Sequence, residues 1–298
     1  MSTSDRKRVE LRAAFDADEP VVTIGVHDAM SASLVERYGF NSVWVSGLGV
    51  STMAHAIPDL NWITMTESLE AAVRIDRATS LPVIADCDNG FGGLSNVMRT
   101  VREYERAGIS AICVEDNVFP KRNSLYTGAS KRELIPVEEQ ARRIRAGKDA
   151  QETEEFTFIA RIESFIAGHG LDDACSRAEA YVAAGADAIL IHSRDKSLAE
   201  IESFLERWPQ IASVPLVAVP TLFPTFSAHE LYAKGFTVVI LANQLMRASV
   251  QAMEDTLQTM SESGTASSVD DGIATVDHVF GLVGTQEAIE LEDQLSTR

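Results

Sequence analysis

Three cysteines in 298 residues, at positions 87, 113 and 175 and with no CxxC spacing, exclude a disulfide framework and a zinc site of the usual kind. They read as ordinary core residues. Basic residues are also few. Lys and Arg total 26 against 44 Asp and Glu, a formal net charge of −18. Such a field repels phosphate backbones and anionic membranes, which argues against nucleic acid or a membrane as partner. A small anionic substrate then needs a locally positive site, made by a metal ion or a few focused Arg and Lys side chains. Long apolar runs are missing as well. The longest are strand-length, and MSTSDRKRVELRAAFDADEP at the start holds no signal-peptide core, so the chain reads as cytoplasmic.

What is present is a globular composition, 45% hydrophobic and 23% charged, with a repeating pattern. β-branched apolar runs recur at 21–26, 42–47, 82–88, 111–116, 156–164, 188–193, 215–220 and 237–243. Several are apolar nearly throughout, as parallel strands buried on both faces must be. Helical patterns lie between them, among them 94–108, 171–185 and 227–235, each closing on glycine. Eight strand–helix units without a GxGxxG first turn predict a single α/β domain over 1–298, a TIM-type (β/α)8 barrel at about 20–263. Residues 264–298 predict a C-terminal helical extension, whose apolar stripe must pack on its own barrel or on a neighbouring subunit.

Polar residues end nearly every strand: Asp28, Ser46, Asp86 and Asp88, Glu115 and Asp116, Arg161 and Glu163, His192 and Ser193, Thr221, Asn243. Convergence on the C-terminal rim is what a barrel active site requires. Asp86, Asp88 and Glu115, with no Cys or His pair nearby, suit a hard oxygen-preferring ion such as Mg2+. The long polar connection after the fourth strand carries Lys121, Arg122, Asn123 and Ser124, and residues 117–128 predict a closing lid that brings donors to an anion. Arg161 suits a phosphate or carboxylate; His192 suits an acid, a base or a hydrogen-bond donor. His27 lies near the mouth without an assigned part.

Together GVHDAMSASLVERYGF, VWVSGLGVS, DCDNGFGG, EDNVFPKRNSL, ARIESFIAGHGLDDA and GADAILIHS resemble the isocitrate lyase and phosphoenolpyruvate mutase superfamily, over about residues 20–255. Its carbon–carbon lyases carry a loop of the KKCGH type, and here KRNSL puts Asn123 at the Cys position. The Asn-Ser pair is similar to the phosphoenolpyruvate phosphomutases, whose signature runs Glu-Asp-Lys, five residues, Asn-Ser; Asn117 departs from it, and so does the stretch after Asp59 and Asn61. The resemblance implies a Mg2+-dependent interconversion of phosphoenolpyruvate and 3-phosphonopyruvate, the step that makes the carbon–phosphorus bond in phosphonate biosynthesis. The alternatives it leaves are a phosphonopyruvate hydrolase or a lyase acting on a 2-oxo acid. It implies direct metal ligation by Asp86, with Asp88 and Glu115 holding the ion's waters. Trp44, Ser46, Gly47 and Leu48 would meet the pyruvyl part, and Asp59, Lys121, Asn123, Ser124, Arg161 and His192 the phosphoryl group. A homotetramer of dimers, or a homodimer, with the C-terminal helix swapped between subunits is the implied assembly.

Overall fold

The alternation of strand and helix closes on itself. In a computed structural model that describes residues 2–126 and 132–296, eight strands form a closed parallel barrel in sequence order. They are β1 (Val21–Val26), β2 (Ser42–Val45), β3 (Val83–Asp86), β4 (Ala111–Glu115), β5 (Thr157–Ile162), β6 (Ala188–Ile191), β7 (Leu216–Ala218) and β8 (Val238–Leu241). Each lies inside the run that predicted it, trimmed where polar residues begin. The helices Leu94–Arg106, Gly170–Ala183 and Ala228–Ala233 end as expected, with Gly108, Gly185 and Gly235 at positive φ just beyond the last turn.

Side-chain parity along the strands explains both cores and the site. One set of alternate residues, Trp44, Ile84, Cys113, Ile159, Leu190, Val217 and Ile240 among them, fills the barrel lumen. The other set, including Val43, Val83, Ile112, Phe158, Ile189 and Val239, packs outward in a second apolar layer with the helices. Continuing the inward parity by two residues reaches Ser46, Asp86, Glu115, Arg161 and His192. The strand-end polar residues are therefore the next rung of the lumen, not a solvent fringe.

The lower end of the lumen is filled by a helix that the sequence reading did not place, Thr3–Phe15, begun by a Ser2–Asp5 capping box. Leu11 joins the lumen cluster, with Ala14 and Phe15 packed against it. Lys7 Nζ donates to Asp76 Oδ1 at 2.6 Å and Arg8 Nε to the Ile109 carbonyl at 3.3 Å, which anchors the helix.

The chain divides into two compact units, Met1–Met246 and Arg247–Arg298. The second contains the helices Val276–Leu282 and Thr285–Ser296. Its Val276, Val283, Leu291 and Leu295 are each more than half exposed. Among the described residues no helix is long and apolar enough to cross a membrane.

Candidate active site

The cavity at the C-terminal end of the barrel is lined by residues from β2, β3, β4 and β5, by residues just beyond β6, β7 and β8, and by the connection after β4. On one wall Ser46 caps the helix Gly47–His55, its Oγ accepting the Gly49 amide at 3.1 Å. The first-turn amides of Gly47 and Leu48 have no intrahelical acceptor, the usual arrangement for holding an oxyanion. Gly47 leaves space here. A Cβ at this position would lie 3.0 Å from Asp86 Oδ2 and 3.4 Å from Asp88 Oδ1, so glycine lets two carboxylates approach the start of the helix. Trp44, Ser46 and Leu48 all line the cavity.

The acidic wall follows from strand register. Glu115 pairs with Arg161 across β4 and β5, and the side chains meet with Nη2 3.3 Å from Oε2. Asp86 ends β3, and its Oδ1 accepts the Asp88 amide at 3.2 Å. Asp86 and Glu115 face the cavity, whereas Asp88 is taken up by Lys121 Nζ and by Asn61 Nδ2, the latter at 2.9 Å. Burial pushes Glu115 up to about 8, with Arg161 and Lys121 opposing and Glu163 and Asp86 adding to the rise. Burial likewise pushes Asp88 to about 6, against the pull of Lys121 and with Asp86 adding to it. Among the described residues no three His, Cys, Asp or Glu side chains surround one point. The donors nonetheless fit a hard divalent cation: all are carboxylate oxygens, and burial disfavours the charged form of two of them, a cost that a cation would offset. Asp86 and Glu115 both face the cavity, where either could meet such an ion.

Residues 117–126 form a cover over this cavity, tied at its start by the bridge between Asn117 and Leu134. Lys121 and Ser124 are buried. Lys121 Nζ lies 2.7 Å from Asp59 Oδ1, and Asn123 Nδ2 donates to Asp59 Oδ2 at 2.6 Å. Asp59 is therefore the seat on which the cover rests. Arg122 stays outside, its guanidinium on the carbonyls of Pro120 and Lys121, so only three of the four expected donors enter. Residues 127 and 128 of the expected lid lie outside the described residues.

Opposite the carboxylates stands a buried hub that sequence reasoning left without a role, Glu163. Its Oε1 accepts Arg161 Nε at 2.6 Å and lies 3.0 Å from His192 Nδ1; its Oε2 accepts the Ser124 hydroxyl at 2.6 Å. Arg161 Nη2 in turn donates to Ser124 Oγ at 2.7 Å. Burial alone would raise the Glu163 carboxyl, but Arg161 and His192 hold it well below the ordinary carboxylate range. Burial, reinforced by Arg161, lowers His192, with Glu163 opposing. The signal for Glu163 was its place two residues after Arg161, on the same face of the strand. Thr221 and Asn243, expected from the strand ends, complete the wall together with Leu125, Val219 and Ala242, which carried no signal.

The arrangement thus presents two cations and two neutral donors to one end of a small ligand, and helix-end amides with carboxylates to the other. A sequence profile of the phosphoenolpyruvate phosphomutase family matches residues 11–261. The chain belongs to that family. A phosphoenolpyruvate phosphomutase of Tetrahymena pyriformis is 38% identical over 96% of this chain and 94% of its own. A solved phosphoenolpyruvate phosphomutase from Streptomyces platensis subsp. rosaceus is 45% identical and superposes with a TM-score of 0.92, covering 96% of this chain and 98% of that one. A phosphonopyruvate hydrolase in complex with oxalate and Mg2+ is 38% identical with a TM-score of 0.89, covering 96% and 98%. The relatives include phosphomutases, a phosphonopyruvate hydrolase and a 2,3-dimethylmalate lyase, so the chain's kin are enzymes of more than one class.

Proposed function

We propose that the protein is a phosphoenolpyruvate phosphomutase, interconverting phosphoenolpyruvate and 3-phosphonopyruvate. The observation that carries this reading is Asn123, a neutral amide seated on Asp59 at 2.6 Å beside Lys121 and Ser124, where a lyase would need a proton donor. In the forward direction the bond from phosphorus to the enol oxygen breaks and one from phosphorus to C3 forms. No protein atom need bond to phosphorus, because a loose phosphoryl transfer depends mainly on positioning and charge. Lys121, Asn123, Ser124 and Arg161 hold the phosphoryl oxygens, and His192 supports Arg161. The Gly47 and Leu48 amides hold the pyruvyl oxygens next to Trp44 and Ser46, while the cover keeps water from the transferring group. Asp86, Asp88 and Glu115 would hold a Mg2+ ion, which would supply positive charge for the enolate. The enzyme acts in the cytoplasm as an oligomer, with the exposed apolar side chains of the C-terminal helices packed on a second copy.

Hydrolysis of phosphonopyruvate is the second reading, favoured by 39% identity to the hydrolase of Variovorax sp.. Phosphorus NMR of phosphonopyruvate incubated with the enzyme and Mg2+ decides between them. Phosphoenolpyruvate is the expected product; inorganic phosphate would transfer the assignment to the hydrolase, and an unchanged spectrum would exclude both. In the same assay Asn123→Ala is expected to lower mutase turnover about 10²-fold, as loss of a donor aimed at a transferring group does. A normal rate in that variant would mean that Asn123 only shapes the segment.

A further inference from the structure

We propose that Asn89 is a positioning residue that ties the carboxylates of the cavity to the cover, through a chain of three side-chain amides. The inference rests on the metal-dependent reading above. Asn61, Asn89 and Asn117 come from three separate loops, after the helix Gly47–His55, after β3 and after β4. Asn89 and Asn117 are buried and Asn61 is half-buried.

The direction of the chain is fixed from one end by a group that cannot reverse. The backbone N–H of Lys121 donates to Asn61 Oδ1 at 2.6 Å, so the Asn61 amide nitrogen must point the other way, and it donates to Asp88 Oδ2 at 2.9 Å. Asn89 therefore meets the Asn61 oxygen with its own Nδ2, at 3.4 Å. The second hydrogen of that nitrogen goes to Asn117 Oδ1 at 3.3 Å. Asn117 is left presenting its nitrogen to Glu115 Oε1, at 2.8 Å. Each orientation follows from the one before it, without any assumption about the charge on Glu115.

Among the described residues Asn89 Oδ1 is buried with no partner, so both hydrogens of this side chain are used and its oxygen is idle. A residue chosen only to fill space would not bury an idle carbonyl, because an unpaired buried acceptor is a net cost. The position is occupied for its NH2, which here serves two acceptors at once, Asn61 Oδ1 and Asn117 Oδ1. The ends of the chain are Glu115 and Asp88 on one side and the Lys121 backbone on the other. Any shift of the carboxylates toward a cation is thereby transmitted to the root of the cover, and docking of the cover is transmitted back; such linkage is reciprocal.

The test uses Mn2+ as the probe, with binding measured by electron paramagnetic resonance of the free ion and hydrogen exchange followed in the 117–126 segment. In the wild type, saturating Mn2+ is expected to slow exchange in this segment about 5-fold or more. In Asn89→Leu, which keeps the volume and removes the two donated bonds, Mn2+ still binds but its effect on exchange falls to less than about 2-fold. Asn117→Leu cuts the same chain while leaving the acceptor of Lys121 in place, and gives the same result if Asn89→Leu does not fold. Wild-type slowing retained in a folded variant overturns the inference, as does Mn2+ binding to the wild type without any slowing. Failure of the wild type to bind Mn2+ overturns the metal-dependent reading itself.

Discussion

At saturating Mg2+ the Asp86→Ala enzyme is expected to turn over at least about 10³-fold more slowly than the wild type. A bound cation contributes several kcal/mol to stabilising developing charge, and each 1.36 kcal/mol is a factor of about ten in rate. The fold should tolerate the change. Asp86 sits half-buried at the end of β3, and its carboxylate accepts the Asp88 amide at 3.2 Å. Losing that bond costs about 1 kcal/mol, or about 2–4 °C in melting temperature for a chain of this size. Turnover by phosphorus NMR and thermal unfolding by circular dichroism measure the two effects separately. Near-normal turnover in the variant in the presence of a chelator would refute Asp86 as the metal ligand.

Glu163→Gln is expected to destabilise the protein by about 3 kcal/mol at pH 7, because removing one partner of a buried ion pair leaves the other uncompensated. As a carboxyl partner Arg161 would retain Glu115, 3.3 Å from Nη2. The pH dependence follows from the depressed acidity of Glu163, which lies well below the ordinary 4.5 in the folded chain. A depressed carboxyl contributes its full stability above the unfolded value and loses it as the pH falls through the folded one. The gap between wild type and variant should therefore be complete at neutral pH and close as the solution is acidified below 4.5. Urea unfolding from pH 7 to pH 3 reads this directly, and a gap that does not change with pH would mean that the carboxylate is not held as an ion. Because Glu163 holds Arg161, His192 and Ser124 together, the rate at pH 7 should also fall, by about 10²-fold if the guanidinium is displaced by about 1 Å.

The eight strands were legible because buried parallel strands leave nearly continuous apolar runs, and their ends because the runs stop at Asp86, Glu115, Arg161 and His192. Inward parity then placed those side chains in one lumen without tertiary information. Asp59 was legible only through the family resemblance, since it lies in an irregular loop and its role depends on Lys121 and Asn123, more than 60 positions away. The three-amide chain left no trace for the same reason: asparagines in turns are ordinary, and only the closed barrel brings these together. The N-terminal helix was hidden by its charge. Lys7 and Arg8 look like surface residues, yet both are buried by their bonds to Asp76 and Ile109.

The alternating parity of the strands also separates two evolutionary demands. Outward residues and the lower lumen carry the packing, whereas the chemistry occupies one rung at the top, reached by adding two residues to each inward column. Exchanging a side chain on that rung, or in the cover above it, changes what meets the ligand while the apolar layers below keep their partners. Mutases, hydrolases and lyases can thus diverge on one scaffold by editing a ring of side chains, and new activity need not first pass through a loosened core.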